Sequence, residues 1–312
     1  AEALLELAKG DASPSQIEAV RSLGRLNDQV TKAYLVSLLR ETDGLTKQLA
    51  VTALAGRSLE DEELTASIVE ETNSGDVAIA AAALQGLIQR SPALGLEKAV
   101  AALSSDKYYL VNRAITLLAS LDEGRSVLTQ FAAENAETRR GLDAEQALDP
   151  AQAALGEARP TANVETLTQY QGAKLKLVTS RGNILIEMLP EAAYAATSFL
   201  QLADAGKMDN MLWHRVIPNF VAQAGQTENL SVNDWGTIRE EWFAADHKIG
   251  TVGLATIGKD TGSTQFFINT AYNLHLNGRY TVFGKVTEGL DVAMALREGD
   301  LIVKAEVIAA TE

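Results

Sequence analysis

Residues 213–223 read WHRVIPNFVAQ and form the first of three strand-like segments in the second half of the chain. The other two are GSTQFFI at residues 262–268 and LHLNG at residues 274–278. Because side chains of a strand alternate between its two faces, Gln265 and Phe267 share one face of the middle segment and their neighbours point the other way. One face can then carry a surface site while the opposite face fills a core.

Strand and helix patterns continue on both sides of these segments. Residues 175–179 and 184–189 alternate about a short turn, and Pro190 opens an amphipathic helix. The dipeptide Asn277-Gly278 predicts a hairpin. Further β-branched or aromatic runs occupy residues 252–255, 265–268, 280–286 and 301–308. Many short strands with few helices predict an antiparallel β-barrel capped by helices, and not a doubly wound sheet.

The first half of the chain has a helical pattern that repeats. Similar helical segments occur at residues 19–26, 50–57, 82–89 and 114–121, at intervals of 31, 32 and 32 residues. Helical hairpins with such a period stack so that each covers the apolar face of its neighbour. The pattern resembles short HEAT-type repeats, and a generic helical bundle is the alternative.

Composition also separates the two halves. Residues 1–170 carry 15 basic and 25 acidic side chains, whereas residues 171–312 carry 12 and 16 and hold all the tryptophans and histidines. The stretch between the halves has prolines and small polar residues without an apolar period, which suits a connector. We therefore predict a helical-repeat domain at 1–150, a linker at 151–170 and a barrel domain at 171–312.

Charge and composition exclude several classes of function. The 312 residues carry a net charge of −14, which argues against a nucleic-acid partner because phosphate binding needs clustered lysine and arginine. No apolar stretch is long enough for a membrane span, and the absence of cysteine removes disulfides and thiolate chemistry. The chain begins without Met or a signal-peptide pattern, so we expect a truncated or processed N-terminus. The expected protein is soluble, either cytoplasmic or exported.

Metal and cofactor sites are not indicated. His214, His247 and His275 lack the spacing of a zinc-binding helix, and no cysteine completes a site. A glycine pattern starting at Gly253 has the outline of a phosphate-binding loop, but Asp260 stands where Ser or Thr would hold magnesium. We expect neither a metal nor a cofactor.

The three strand-like segments carry motifs that resemble those of one family. Residues 213–225 are similar to its Phe-His-Arg-Val-Ile-Pro-x-Phe-Met-x-Gln-Gly-Gly stretch, residues 263–268 to Gly-Ser-Gln-Phe-Phe-Ile, and residues 276–284 to Leu-Asp-Gly-Lys-x-x-Val-Phe-Gly. The family is the cyclophilin-type peptidyl-prolyl cis-trans isomerases, and the resemblance spans roughly residues 174–310. It implies an eight-stranded antiparallel β-barrel capped by two helices. The expected fold is thus multidomain, with an N-terminal all-α HEAT-like repeat array before this barrel.

The resemblance also implies roles for individual residues. Arg215 corresponds to the catalytic arginine of the family. The pocket that receives the proline ring corresponds to Phe220, Val221, Phe267 and Leu276. The polar groups that orient the substrate backbone correspond to His214, Gln223, Gln265 and the strand edge at Ala255 and Thr256. Beside the pocket, His275 stands for a Trp and Tyr280 for a His of the usual pattern.

The implied activity is cis-trans isomerisation of X-Pro bonds in peptide or protein clients. Amide resonance imposes a barrier of ~18–20 kcal/mol, and no covalent bond needs to break. An apolar pocket can hold the proline while a guanidinium donates to its nitrogen as the amide twists. The helical repeats are expected to dock a protein partner. Two alternatives stay open: a scaffold that binds proline peptides without turnover, and a protein whose repeats carry the main function.

Overall fold

A computed structural model describes residues 1–11, 13–41, 44–57, 61–150, 157–228 and 235–310 of the protein. The chain divides into two compact units, Ala1–Ala153 and Ala154–Glu312. The finer limits expected from the sequence, with a linker at 151–170, stay a prediction. Within the described ranges, no helix is long and apolar enough to cross a bilayer.

The first unit consists of helices joined by short connections. Its described helices are α1 Glu2–Ala8, α2 Pro14–Leu23, α3 Gln29–Glu41, α4 Gly44–Ala55, α5 Glu62–Glu71, α6 Val77–Arg90, α7 Pro92–Ala102, α8 Tyr108–Ala119, α9 Asp122–Glu134 and α10 Arg139–Leu148. Short polar side chains begin several of them, as where Asp76 accepts hydrogen bonds from the amides of Ala78 and Ile79.

The even-numbered helices of the first unit form a stack. Helices α2, α4, α6, α8 and α10 pack successively against one another, and the odd-numbered helices pack beside their neighbours in sequence. Equivalent positions of the repeated segments are at most 1% exposed: Val20, Val51, Ala83 and Ile115. Gly86 permits close packing, because a Cβ there would lie 2.6 Å from the Cβ of Ala55. The helical prediction is confirmed, and the HEAT-type assignment stays an interpretation.

Two buried arginines join successive hairpins of the stack. Arg57 donates to the backbone carbonyls of Leu23 at 3.3 Å and Asp28 at 2.7 Å. Arg90 makes the equivalent bonds one repeat later, to the carbonyls of Leu54, Arg57 and Asp61. Burial lowers the pKa of both guanidinium groups. Each arginine therefore satisfies carbonyls at the ends and connections of the preceding helices.

The second unit is a curled antiparallel sheet with helices. Its strands are β1 Lys174–Thr179, β2 Gly182–Met188, β3 Met211–Leu212, β4 Arg215–Ile217, β5 Val221–Ala224, β6 Thr251–Leu254, β7 Phe266–Asn269, β8 Val282–Glu288 and β9 Leu301–Ile308. Its helices are α11 Val164–Gln169, α12 Ala193–Asp204 and α13 Leu290–Ala295, with 3-10 turns at Pro190–Ala192 and Leu274–Leu276.

The order of strands closes the sheet into a barrel. Neighbours follow the order β3-β9-β1-β2-β8-β6-β7-β5-β4. Leu212 of β3 also exchanges backbone hydrogen bonds with the chain just after β5, accepting from Gly225 and donating to Gln226. Strands β3 and β4 are separated by only Trp213 and His214, so they act as one interrupted strand. Counted in this way the barrel has eight strands, as predicted.

Aromatic side chains fill the barrel under α12. The rings of Phe199 and Phe283 stack at 4.6 Å, and Phe266 meets the rings of Phe199 and Trp213 edge-on. Phe266 and Ile268 are at most 1% exposed, as their predicted place on the core face requires.

Two local predictions are wrong. Residues 274–278 are not a strand, and no hairpin forms at Asn277-Gly278, because β7 pairs with β5 and β6 whereas β8 pairs with β2 and β6. The Asn277 side chain is engaged elsewhere, accepting from the amide of His247 at 2.8 Å and donating to Asp246. A surface tether therefore replaces the expected tight turn.

The described residues just before β1 make contacts within the second unit. Helix α11 begins after Asn163, whose side chain accepts from the amide of Thr166. Upstream of it, the amide of Arg159 donates to the carbonyl of Thr237 at 2.7 Å, and its guanidinium lies 4.0 Å from the centre of the Trp235 ring. Cation–π stacking and a buried backbone bond thus hold this segment on the sheet unit.

Candidate active site

A row of polar side chains crosses strands β4 and β5. The register of the two strands places Arg215 opposite Gln223. The Arg215 guanidinium donates to Oε1 of Gln223 at 3.2 Å, and Nε2 of Gln223 donates to Oε1 of Gln265 at 2.9 Å. Alternation along a single strand would place Arg215 on the same face as Trp213, but Trp213 is fully buried while Arg215 is exposed. The guanidinium is therefore oriented from one side and open on the other.

Aromatic rings adjoin this polar row. The guanidinium carbon of Arg215 lies 5.7 Å from the centre of the Phe220 ring. Phe220 in turn stacks on the exposed His275, with ring centres 5.7 Å apart and planes at 17°. The structure thus places the Phe220 ring between the Arg215 guanidinium and His275, which stands where the family motif has Trp.

Strand β7 supplies a second aromatic wall. The register places Phe267 opposite Gln223, and its ring meets that of Tyr280 edge-on at 5.8 Å. Phe267 and Val221 are 5% and 2% exposed. Gly253 on β6 makes room for Phe267, since a Cβ at that position would lie 2.3 Å from the ring. The sequence placed Gly253 in a strand run and in a failed phosphate loop, and neither pattern shows that its missing side chain makes room for Phe267.

The strand edge after β6 lies beside the polar row. The amide of Ala255 donates to the carbonyl of Gln265 at 3.0 Å, and the Thr256 hydroxyl donates to Glu240 at 3.1 Å. The Thr256 side chain is thus already engaged by a carboxylate, so a peptide at this edge would meet its backbone. Leu276 is half-buried in the 3-10 turn beside His275.

His214 is a neutral member of the site. Burial lowers its pKa to about 4, and the nearby charge of Arg215 acts in the same direction. Its Nδ1 atom is buried and lacks a hydrogen-bond partner among the described residues. Within the described ranges, no group of three or more His, Asp or Glu side chains is placed to hold a metal. The arrangement offers a fixed cation, amide groups and apolar walls.

Comparison with known proteins identifies the unit that holds this site. A family model described as cyclophilin type peptidyl-prolyl cis-trans isomerase/CLD matches residues 174–310. Peptidyl-prolyl cis-trans isomerase B of Bacillus subtilis is 40% identical over 135 residues, which are 42% of this chain and 94% of that protein. The chain belongs to the cyclophilin family.

Other cyclophilin relatives cover the same part of the chain. A peptidyl-prolyl cis-trans isomerase of Helicobacter pylori is 38% identical over 144 residues, 44% of this chain and 87% of that protein. One of Schizosaccharomyces pombe is 38% identical over 127 residues, 38% of this chain and 82% of that protein. The second unit is thus a cyclophilin-type isomerase domain that binds proline-containing peptides, and the family match leaves out the helical unit.

Proposed function

We propose that Arg215 is the catalytic residue of the cyclophilin unit. Its guanidinium is held by Gln223 at 3.2 Å, and Gln223 is held by Gln265 at 2.9 Å. Such a chain orients the remaining N–H groups before substrate arrives, so that no reorganisation is needed during the reaction. This orientation is the observation that carries the proposal.

The reaction needs a twisted amide to be stabilised. Rotation about an X-Pro bond breaks the resonance of the amide, and the lone pair then localises on the proline nitrogen. Arg215 donates to that nitrogen through a planar guanidinium that carries several N–H groups. The proline ring is held in apolar surroundings by the pocket residues Phe220, Val221, Phe267 and Leu276. The peptide backbone is bound by Gln223 and Gln265. A barrier lowered by about 5–7 kcal/mol corresponds to roughly 10⁴- to 10⁵-fold acceleration.

The test is the isomerisation rate of a proline tetrapeptide with the full chain and its variants. Loss of one oriented transition-state donor in Arg215→Ala should lower kcat/KM roughly 100-fold or more. Arg181→Ala is the matched control, because Arg181 lies in the turn after β1 and pairs with Asp300 at 2.8 Å. Equal rates for Arg215→Ala and wild type would contradict the catalytic role of Arg215. Peptide binding without acceleration by the wild type would favour the scaffold alternative.

We propose further that the helical unit docks protein clients or partners. A groove of about 220 Å³ runs between helices α3 and α5. Its lining mixes apolar and charged side chains: Gln29, Lys32, Ala33, Val36, Glu63, Leu64 and Ser67. A groove between adjacent helices of a stacked array offers an extended surface of the kind that repeat proteins use for binding.

The docking proposal is tested with two kinds of substrate. Ala33→Arg places a long charged side chain on an exposed groove position, and Ser126→Arg makes the same kind of change on exposed α9 outside the groove. Both variants should isomerise a tetrapeptide at the wild-type rate. Only Ala33→Arg should slow the catalysed refolding of a proline-limited protein. Equal refolding rates for the two variants would count against a docking role for this groove.

A further inference from the structure

His247 lies beneath the pocket in a buried network of polar side chains. Its ring is fully buried and stacks on Phe267, with centres 5.6 Å apart and planes at 21°. Asn269 and Asn273 beside it are 0% and 3% exposed. Burying several polar groups is unfavourable unless each has its partner, so the hydrogen bonds of these groups decide what the cluster does.

The contacts of Asn269 fix the proton on the His247 ring. Nδ2 of Asn269 lies 3.2 Å from the carbonyl oxygen of Thr251. A carbonyl oxygen can only accept a hydrogen bond, so the amide nitrogen of Asn269, and not its amide oxygen, must face it. The same nitrogen lies 3.1 Å from Nδ1 of His247, which must therefore accept. The ring proton is then on Nε2, which faces the carbonyl of Tyr280 at 3.3 Å. His247 is thus a neutral bridge from Asn269 to the backbone of Tyr280.

The same cluster reaches the opposite wall of the pocket. Nδ2 of Asn273 donates to Oδ1 of Asn269 at 2.8 Å and to the backbone carbonyl of Phe220 at 2.8 Å. The carbonyl of His247 accepts from the amide of Asn273 at 2.8 Å, and Asn277 holds the amide of His247. Asn273 and Asn277 flank the 3-10 turn that carries His275 and Leu276.

We propose that His247, together with Asn269 and Asn273, is a positioning group of the isomerase. The cluster ties down the backbones of Phe220 and Tyr280, and the His247 ring supports that of Phe267. A fully satisfied buried network makes its neighbours rigid. Because misplacement of a group by 1 Å can cost about 100-fold in rate, rigid walls keep the proline ring aligned with the arginine. The inference rests on the proposed proline pocket, and only the alignment with Arg215 depends on the catalytic assignment.

The variants His247→Phe and His247→Gln separate the two contributions of the ring. Phenylalanine keeps an aromatic ring against Phe267 and loses both hydrogen bonds, whereas glutamine can still donate to the carbonyl of Tyr280. Two-dimensional NMR exchange of a proline tetrapeptide on the full chain gives the on-enzyme interconversion rate, and a titration gives the peptide Kd. We expect His247→Phe to lower the rate about tenfold with less than about threefold change in Kd, and His247→Gln to recover part of the rate.

Leu177→Ala is the control for a general loss of stability. Leu177 is fully buried on β1, which pairs with β2 and β9 and not with the strands of the pocket. It should lower the melting temperature yet keep the on-enzyme rate. A wild-type rate in His247→Phe, or an equal loss in Leu177→Ala, would overturn the proposal. If His247→Phe does not fold, Asn273→Ala is measured in its place, because it removes the bonds to Asn269 and to the Phe220 carbonyl, and an unchanged rate there overturns the proposal.

An Arg215→Ala sample in the same series separates this inference from the proposed function. If Arg215→Ala keeps the wild-type rate while His247→Phe loses it, the catalytic assignment fails and the positioning role stands. If Arg215→Ala loses the rate while His247→Phe keeps it, only the positioning role fails.

Discussion

The guanidinium of Arg90 donates a hydrogen bond of 3.1 Å to the backbone carbonyl of Arg57, its counterpart in the preceding helical hairpin. Both side chains are 6% exposed, so the carbonyls they serve are screened from water. Replacing Arg90 by methionine would remove this donor from the Arg57 carbonyl, and it would remove one of the hydrogen bonds to the carbonyls of Leu54 and Asp61, which also accept from backbone amides. Successive repeats depend on one another through these side chains as well as through apolar packing.

We predict that Arg90→Met lowers the free energy of unfolding of the helical unit by about 1–3 kcal/mol, because the buried Arg57 carbonyl loses its guanidinium donor and the hydrogen bonds to Leu54 and Asp61 are also lost. Urea unfolding followed by circular dichroism measures this. Arg25→Met, at an exposed position, should change stability by less than about 0.5 kcal/mol. Similar stability for the two variants would show that the buried arginine is dispensable.

Part of the effect of Gln223 on the rate should come through Arg215. Gln223→Leu removes the acceptor that orients the guanidinium, so kcat/KM for a tetrapeptide should fall about tenfold. In an Arg215→Ala background the same change should cost much less, because the interaction is already gone. Strictly additive losses in this double-mutant cycle would contradict the coupling.

Gly253 and Gly258 form a matched pair for testing the wall at Phe267. A Cβ at Gly253 would lie 2.3 Å from that ring, whereas one at Gly258 would meet nothing nearer than 4.0 Å. Gly253→Ala should therefore destabilise the cyclophilin unit by about 1–3 kcal/mol and weaken peptide binding. Gly258→Ala should leave both quantities near wild type. Thermal unfolding and peptide titration check the pair, and equal behaviour would mean that the ring can move aside freely.

Acid should reduce stability before it reduces activity. The pKa of His214 is about 4 in the folded protein, against about 6.5 in an unfolded chain, and burial lowers the pKa of His247 too. As pH falls from about 6.5 to 4, the unfolded chain binds protons at these histidines and the folded protein does not, so the free energy of unfolding falls. For His214 the loss approaches about 3 kcal/mol.

The same pKa of about 4 keeps His214 neutral, so peptide affinity should stay constant from pH 8 down to about 5.5. Urea unfolding between pH 7 and 4 measures the stability, and titration of a tetrapeptide between pH 8 and 5.5 measures the affinity. His214→Gln should flatten part of the acid dependence of stability. If the variant kept the full wild-type slope, His214 would not be its source.

The periodicity of the sequence was enough to place many elements, because it depends on neighbours along the chain. Strand β9 runs from Leu301 to Ile308, as its pattern predicts, and Phe266 and Ile268 face the core. The break between β3 and β4 was not predictable in this way. Trp213 pairs its backbone with Gly299 and Asp300, far along the chain, and this turns its side chain into the core.

The site residues also differ in whether the local sequence could predict them. The pocket residues stand in motifs that can be read locally, although their roles were implied by family resemblance. His247 gave no such signal, because its partners Asn269, Asn273 and Asn277 are 22 to 30 residues away and only the fold brings them together. The Asn277-Gly278 pair predicted a hairpin from its local turn chemistry alone. The hydrogen bond from the amide of His247 to the Asn277 side chain, which replaces that hairpin, leaves no pattern in the sequence.

Barrel closure through Leu212 has a consequence for an enzyme that handles unfolded chains. An open sheet edge invites an extended client to add itself as another strand, which is a route to aggregation. In the described strands, β3 joins both β9 and the chain after β5, so the edge that would otherwise be open is occupied. An extended client therefore cannot add itself to the sheet at β3, and its release does not require a strand to be separated from that edge.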